Sequence, residues 1–288
     1  MFNKVDRILV AVHNLDAAEK NYRDVLGATP IEDFKSEHLN ANVRRMAIGI
    51  SEVELCQPLG AGPVETYLKR GREGLMCGGV TTADLDIFAE VLSEHSTGYT
   101  KADGRLYLEG GDLHGLPLVV STAPKTPVKR GPGPVDYLYE LTMVLNSRWQ
   151  DVADTYAKRL AINPENMVDI TFKRFGYEGT LMLFDPQNLD RIELSEAHDT
   201  AFPMGRFSAK NGDALYMCYI ETDDLADVIQ RLEKNNHRYT RRTDTPVEQN
   251  GLWIHPGALN GVLLGVSRTT LAWHWSGRPD RVAPLDQG

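Results

Sequence analysis

Three carboxylates stand inside apolar, strand-like runs: Glu54 in EVELCQPL, Glu140 in LYELTMVLN and Glu193 in DRIELSEA. A strand turns successive side chains to opposite faces. Glu54 therefore shares a face with Cys56, while Val53 and Leu55 take the other. Glu140, Thr142 and Val144 oppose Tyr139, Leu141, Met143 and Leu145, which form an apolar face suited to helix packing. A one-residue shift of that run would put Leu141 in the place of Glu140. Glu193 opposes Ile192 and Leu194, with Arg191 on its own side. A carboxylate so placed faces solvent at a sheet surface or lies in a cavity. In a cavity it has three chemistries open to it. It holds a hard cation together with a second carboxylate, it exchanges a proton at a pKa displaced by burial, or it is neutralised by an arginine.

Other chemistry has little support in the residues. No two histidines have a metal-ligand spacing, and there is no Gly-rich phosphate loop or Ser-His-Asp signature. His255 stands in WIHPG, just before the last strand-like run, and His13 and His114 fall at strand ends or loops. The net charge of −9 argues against a general nucleic-acid or anionic-membrane partner. No apolar run approaches the roughly 18 residues of a membrane span, and the first residues do not read as a signal peptide. The three cysteines, Cys56, Cys77 and Cys218, are few and odd in number, which points to reduced thiols and a cytoplasmic protein.

The elements that must position these residues recur four times. RILVAVHNLDAAEKNYRDVLG reads as a strand, a turn and an amphipathic helix, and two more strand-like runs follow. The pattern returns at LMCGGVTTADLDIFAEVLSEH, at LYELTMVLNSRWQDVADTYAKRLAI and at ALYMCYIETDDLADVIQRLEKNNH. Asn14, Asp84, Asn146 and Asp223 stand beside the four helix starts, where side-chain capping is expected. The Pro/Gly-rich stretch TAPKTPVKRGPGPV divides the copies two and two. The expected organisation is an N-terminal domain over 1–122, a linker over 123–135, a C-terminal domain over 136–270 and an irregular tail over 271–288. Trp273 and Trp275 of the tail are expected to pack on the second domain.

Four βαβββ units in two domains resemble the vicinal oxygen chelate superfamily, which includes glyoxalase I, methylmalonyl-CoA epimerase, extradiol dioxygenases and bleomycin-resistance proteins. The resemblance runs from about Val5 to Ser267. It is most specific in VELCQPLGAGPVETYLKRGREGLMCGGVTTADL, which looks like an epimerase-type run, and in the final hairpin HPGALNGVLLGVS. Length and layout are similar to those of an extradiol dioxygenase. The resemblance implies an α+β fold of two half-open barrels. Metal ligands of the family come from the first and last strands of each unit and point into the cavity.

Carried over residue by residue, the family's ligand positions are largely changed. In the first unit Arg7 stands at the His position and Glu54 at the Glu position, so an internal Arg7–Glu54 ion pair is expected. The alternative is Arg7 gripping a substrate carboxylate or phosphate. In the second unit Cys77 and Val119 take the two positions. Cys77 reads as a small buried side chain, or as a nucleophile if Arg7 lowers its pKa. The third unit has Glu140 and Glu193, brought near each other in one cavity. The fourth has Met217, beside Tyr216, and Gly265. An iron site of His, His and Glu is thus not matched, which disfavours ring-cleaving dioxygenase chemistry.

For the Glu140/Glu193 pair three outcomes are open. A divalent cation (Mg²⁺, Mn²⁺ or Ca²⁺) bridges them, or one stays protonated and the two work as an acid–base pair, or Arg191 pairs with Glu193 and the arrangement is structural. The acid–base version implies a lyase or isomerase that moves a proton next to a carbonyl. Its substrate would be a small carbonyl compound, an aromatic catabolite or a CoA thioester, and Tyr219 or His255 would hold the oxyanion. Arg7, Glu54, Cys77, Tyr216, Met217 and Arg191 are the expected substrate contacts. The alternative is a metal-free protein that sequesters a small molecule. Either would work as a monomer or homodimer. Which units pair to form each barrel is open.

Overall fold

The computed structural model describes residues 2–124, 126, 129–242 and 250–284. The expected linker includes Lys125, Pro127 and Val128, and the expected tail includes 285–288; these lie outside the described residues. Unit one is β1 (Phe2–Ala11), α1 (Leu15–Leu26), β2 (Thr29–Ser36), β3 (Ala41–Ile48) and β4 (Ser51–Pro58). A short α2 (Pro63–Leu68) leads into unit two: β5 (Gly74–Thr82), α3 (Leu85–Glu94), β6 (Thr100–Ala102), β7 (Arg105–Leu108) and β8 (Leu118–Thr122). Unit three is β9 (Val135–Leu145), α4 (Trp149–Arg159), β10 (Met167–Phe172), β11 (Tyr177–Leu183) and β12 (Arg191–Glu196). After α5 (Pro203–Asn211) comes unit four: β13 (Ala214–Thr222), α6 (Leu225–Lys234), β14 (Tyr239–Arg241), β15 (Gly251–Ile254) and β16 (Leu264–Arg268). No described helix is long and apolar enough to cross a membrane.

The units pair within each half of the chain. One sheet runs β2-β3-β4-β1-β5-β8-β7-β6 and the other β10-β11-β12-β9-β13-β16-β15-β14. In each, the first and last strands of a unit run parallel as neighbours, and the two units join through their antiparallel first strands. Three helix starts carry a side-chain cap, from Asn14, Asp84 and Asp224. Asp224 takes the role expected of Asp223, which instead pairs with Arg130. Helix α4 opens at Arg148 without a side-chain cap, so Asn146 has no such role.

Alternation sorts each sheet into two faces. Ile8, Val10 and Val12 join Leu141, Met143 and Ile192 in one buried cluster that runs through both halves and takes in the helices. Leu9, Ala11, Cys56, Cys77 and Val119 form a separate cluster on the inner face of the first sheet. Tyr139, Met217, Tyr219 and Trp273 form its counterpart in the second. Tyr139 departs from the expected helix-packing face. The β9–β13 register passes from Glu140↔Tyr219 to Leu138↔Ile220, so Tyr139 is the extra residue of a bulge and turns inward. Strand β1 bulges at the same place, at Asp6. In the tail Trp273 is buried in the inner cluster, and Trp275 lies against the Arg242 guanidinium at 4.6 Å.

Candidate active site

The inner face of the second sheet brings four polar side chains together. The parallel register sets Arg191 opposite Glu140 and Glu193 opposite Thr142, which places Glu193 diagonally from Glu140. Arg191 Nε donates to Glu140 Oε2 at 2.7 Å, and both side chains are buried. Nη2 lies equally near that oxygen but off the hydrogen-bond direction. Nη1 donates to Ser276 Oγ of the tail at 2.8 Å, and Thr142 Oγ1 donates to Glu140 Oε1 at 2.8 Å. The expected Arg191–Glu193 pair is therefore replaced by Arg191–Glu140, because register puts the guanidinium directly across from Glu140.

Among the described residues Glu193 accepts from one neutral donor, Ser195 Oγ at 2.6 Å, and its carboxyl also hydrogen-bonds with that of Glu140. Burial, and then the neighbouring Glu140 carboxylate, push its pKa up to about 8. Glu193, not Glu140, reaches the cavity of about 470 Å³ that opens over this face. The walls of that cavity are largely aromatic and include Phe175, Tyr177, Phe207, Tyr216 and Trp253. Met217 and Tyr219 complete the floor, and His255 stands at the edge with Nε2 at 2.7 Å from Thr240 Oγ1. Burial, with Arg238 nearby, lowers the His255 pKa. The Tyr219 hydroxyl accepts from Trp253 Nε1 at 2.7 Å. Burial pushes its pKa up to about 12, so Tyr219 keeps its proton.

The first sheet holds the same arrangement with the charges exchanged. Arg7 stands opposite Glu52 where Glu140 stands opposite Arg191, and Glu54 occupies the place of Glu193. Glu54 is gripped by Arg105, with Nη1 to Oε2 at 2.9 Å and Nη2 to Oε1 at 2.8 Å, and by Arg7 Nη1 at 3.0 Å. Burial alone would raise its pKa, but the two guanidiniums outweigh burial and hold it below the usual carboxylate range. The residue directly across β1 from Glu54 is Leu9, and Arg7 reaches it on the diagonal. Arg105 comes from β7, a strand that carried no signal for this role. Its counterpart by register in β15 is Gly251, so among the described residues no arginine reaches Glu193 from that strand.

Of the two readings of Cys77, its surroundings favour the small buried side chain over the nucleophile. Burial, and then Glu54, push its thiol well above the ordinary range. Arg7 lines a separate cavity of the first sheet, with Glu54 buried beneath it. The expected site residues thus divide. Glu193, Tyr216, Met217, Tyr219 and His255 line one cavity, with Glu140 and Arg191 under its floor, while Arg7, Glu54 and Cys77 lie elsewhere. Sequence reading missed Trp253 and Thr142; Trp253, in GLWIHP, stands on the strand next to His255, which could have flagged it.

The residues present do not fit the iron ligands that the resemblance implies. Glu140 is engaged by Arg191, and Met217 is a poor ligand for a hard cation. The Tyr219 ring lies over Gly265, where a Cβ would fall inside it. Among the described residues no three His, Cys, Asp or Glu side chains converge to hold a metal. Gly265→Ala is therefore expected to displace Tyr219 from Trp253 and cost about 1–3 kcal/mol through overpacking. Urea denaturation and tryptophan emission report the two effects. An unchanged melt and spectrum would show that the ring does not need the glycine.

Residues 6–112 match the Glyoxalase/Bleomycin resistance protein/Dioxygenase superfamily. In three-dimensional structure the chain is similar to a triple mutant of 4-hydroxymandelate synthase from Streptomyces coelicolor, at 13% identity, with 93% of each chain covered and a TM-score of 0.71. It is similar also to a xylose isomerase-like TIM barrel/4-hydroxyphenylpyruvate dioxygenase fusion protein, at 10% identity and a TM-score of 0.65, over 93% of this chain and 49% of that one. Methylmalonyl-CoA epimerase from Mycobacterium tuberculosis aligns over 48% of this chain and 90% of its own, at 20% identity and a TM-score of 0.40. No curated protein sequence matches. At these identities the structural likeness is one of fold.

Proposed function

We propose that this chain, whose residues 6–112 match that superfamily and whose two-domain fold is similar to that of 4-hydroxymandelate synthase, is a metal-independent lyase or isomerase acting next to a carbonyl group. The observation that carries this reading is the division of labour between two adjacent carboxyls. Glu140 is given to Arg191, and Glu193 is left to face an aromatic cavity. A carboxyl held near neutrality is suited to take a proton from a carbon and return it.

In the proposed reaction Glu193, in its ionised form, removes the proton α to the carbonyl. The C–H electron pair moves into the carbonyl to give an enolate, and the Tyr219 O–H donates to the new oxyanion. Trp253 N–H fixes Tyr219 for this task. Arg191 keeps Glu140 from competing for the proton and supplies the counter-charge that a cation would otherwise bring. The proton held on Glu193 exchanges with solvent, and a proton is then returned to carbon, or a leaving group departs. The aromatic walls favour a substrate with an apolar or aromatic body. The three buried, unbridged cysteines suit a reducing compartment.

The test is exchange of the α-proton for solvent deuterium, followed by NMR across a panel of aromatic and aliphatic carbonyl compounds, with excess chelator present. Exchange that persists with chelator supports the reading. Exchange that chelator abolishes would make a metal the agent, and binding without exchange would leave a sequestering protein.

A further inference from the structure

Arg72 has no part in the reaction proposed above. It belongs to the N-terminal domain, on the loop between α2 and β5, yet it lines the C-terminal cavity together with Tyr67 and Leu75. A clasp across the domains holds this loop. The Glu73 carboxylate accepts the His13 backbone N–H at 2.6 Å and Asn260 Nδ2 at 2.7 Å, and Asn260 Oδ1 accepts Asn21 Nδ2 at 3.1 Å. Behind it the backbones touch so closely that a Cβ on Gly261 would overlap the Glu73 carbonyl. Gly261 also has a φ of +85°, where a glycine is favoured.

The other arginines near the cavity are engaged. Arg191 serves Glu140 and Ser276 beneath the floor. Arg242 lies between the Trp253 and Trp275 rings, at 4.7 and 4.6 Å. Among the described residues Arg72 has no hydrogen bond or ion pair to a carboxylate. It stands where this cavity meets a second one, of about 830 Å³, that runs out between the domains and carries Arg70, Lys210 and Glu109.

We infer that Arg72 binds an anionic group of the ligand, so that the N-terminal domain completes a site whose reacting carboxyl lies in the C-terminal one. This rests on the reading of the Glu193 cavity as the reaction site. A guanidinium pairs with a carboxylate or phosphate through two parallel hydrogen bonds. Next to apolar walls the pair is less screened than in open water. The anion is held at the junction of the cavities while the apolar body lies inward, over Met217 and Tyr216, toward Glu193. The clasp makes Arg72 a fixed part of the wall despite its exposed position.

The experiment titrates tryptophan fluorescence, to which Trp253 contributes from the cavity wall, with phenylacetate, phenyl phosphate and the neutral isostere phenylacetamide. At least one anion is expected to bind about tenfold or more tighter than the amide. Whichever anion binds better identifies the headgroup as carboxylate or phosphate. Arg72→Gln is expected to bring anion and amide within about twofold of each other, Arg72→Lys to restore part of the preference, and Arg70→Gln to change neither. Glu73→Ala, which opens the clasp, is expected to weaken the anion alone. Equal affinity of anion and amide for the wild type, a preference that survives Arg72→Gln, or no saturable binding of either anion would overturn the inference. Failure of α-proton exchange with the anion preference intact would instead remove the reaction and leave the anion site standing.

Discussion

Glu193→Gln is expected to lower turnover by about 10²–10⁴-fold, the range for removing a general acid–base group, and also to make the protein more stable at alkaline pH. Both effects have one cause. Burial and the nearby Glu140 raise the Glu193 pKa from 4.5 to about 8. Below the unfolded value the carboxyl is protonated in both folded and unfolded chains, and its contribution to stability is fully present. As pH rises through the window from 4.5 to about 8 the unfolded chain releases this proton and the folded chain does not. Each unit of that window costs about 1.4 kcal/mol. Asp190 and Glu221, both raised to about 7 chiefly by burial, act in the same direction and reach their limit sooner. The amide cannot ionise, so the variant loses the part of the slope that belongs to Glu193 and keeps the rest. Urea denaturation of both proteins at about pH 5 and about pH 8.5 measures this. A variant with full turnover and the wild-type pH slope would end the case for Glu193 as the working carboxyl.

Arg191→Met is expected to destabilise the fold by about 3–5 kcal/mol, the usual cost of leaving one member of a buried ion pair unpartnered. The guanidinium is fully buried, lies 2.7 Å from Glu140 and ties the tail through Ser276 at 2.8 Å. Its loss leaves Glu140 and Glu193 side by side without a counter-charge. The double variant Arg191→Met/Glu140→Leu removes the stranded charge with its partner and is expected to recover most of the stability, as apolar replacements of buried pairs commonly do. Chemical denaturation of the wild type, the single and the double variant decides the point. A single variant within about 1 kcal/mol of the wild type, the range of exposed pairs, would mean that the pair is hydrated and that Arg191 is not what separates the two carboxyls.

The four units, their order and the inward direction of Glu54, Glu140 and Glu193 were legible in the sequence. They follow from a period of two in the strands and of 3.6 in the helices, and each period is a property of a few consecutive residues. Bulges break that period without a local mark. Tyr139 sits in a run that alternates cleanly, and only the pairing of β9 with β13 turns it inward. The partner of each charge was equally illegible. Arg191 lies two residues from Glu193 in the chain, yet the parallel register sets it across from Glu140. Glu54 and Glu193 occupy one position in two copies of a single unit, and their pKa values shift in opposite directions, because Arg105 and Arg7 reach the one while Glu140 lies beside the other and Gly251 stands at the place matching Arg105. Arg72 lies in the N-terminal half of the sequence, and the domain interface delivers it to a cavity in the other half. Sequence by itself determined which residues face inward, because that is set by short-range geometry. Which inward residues meet, and so which carboxyl is paired with an arginine and which faces the cavity, was decided by strand register and domain docking, contacts between residues far apart in the chain.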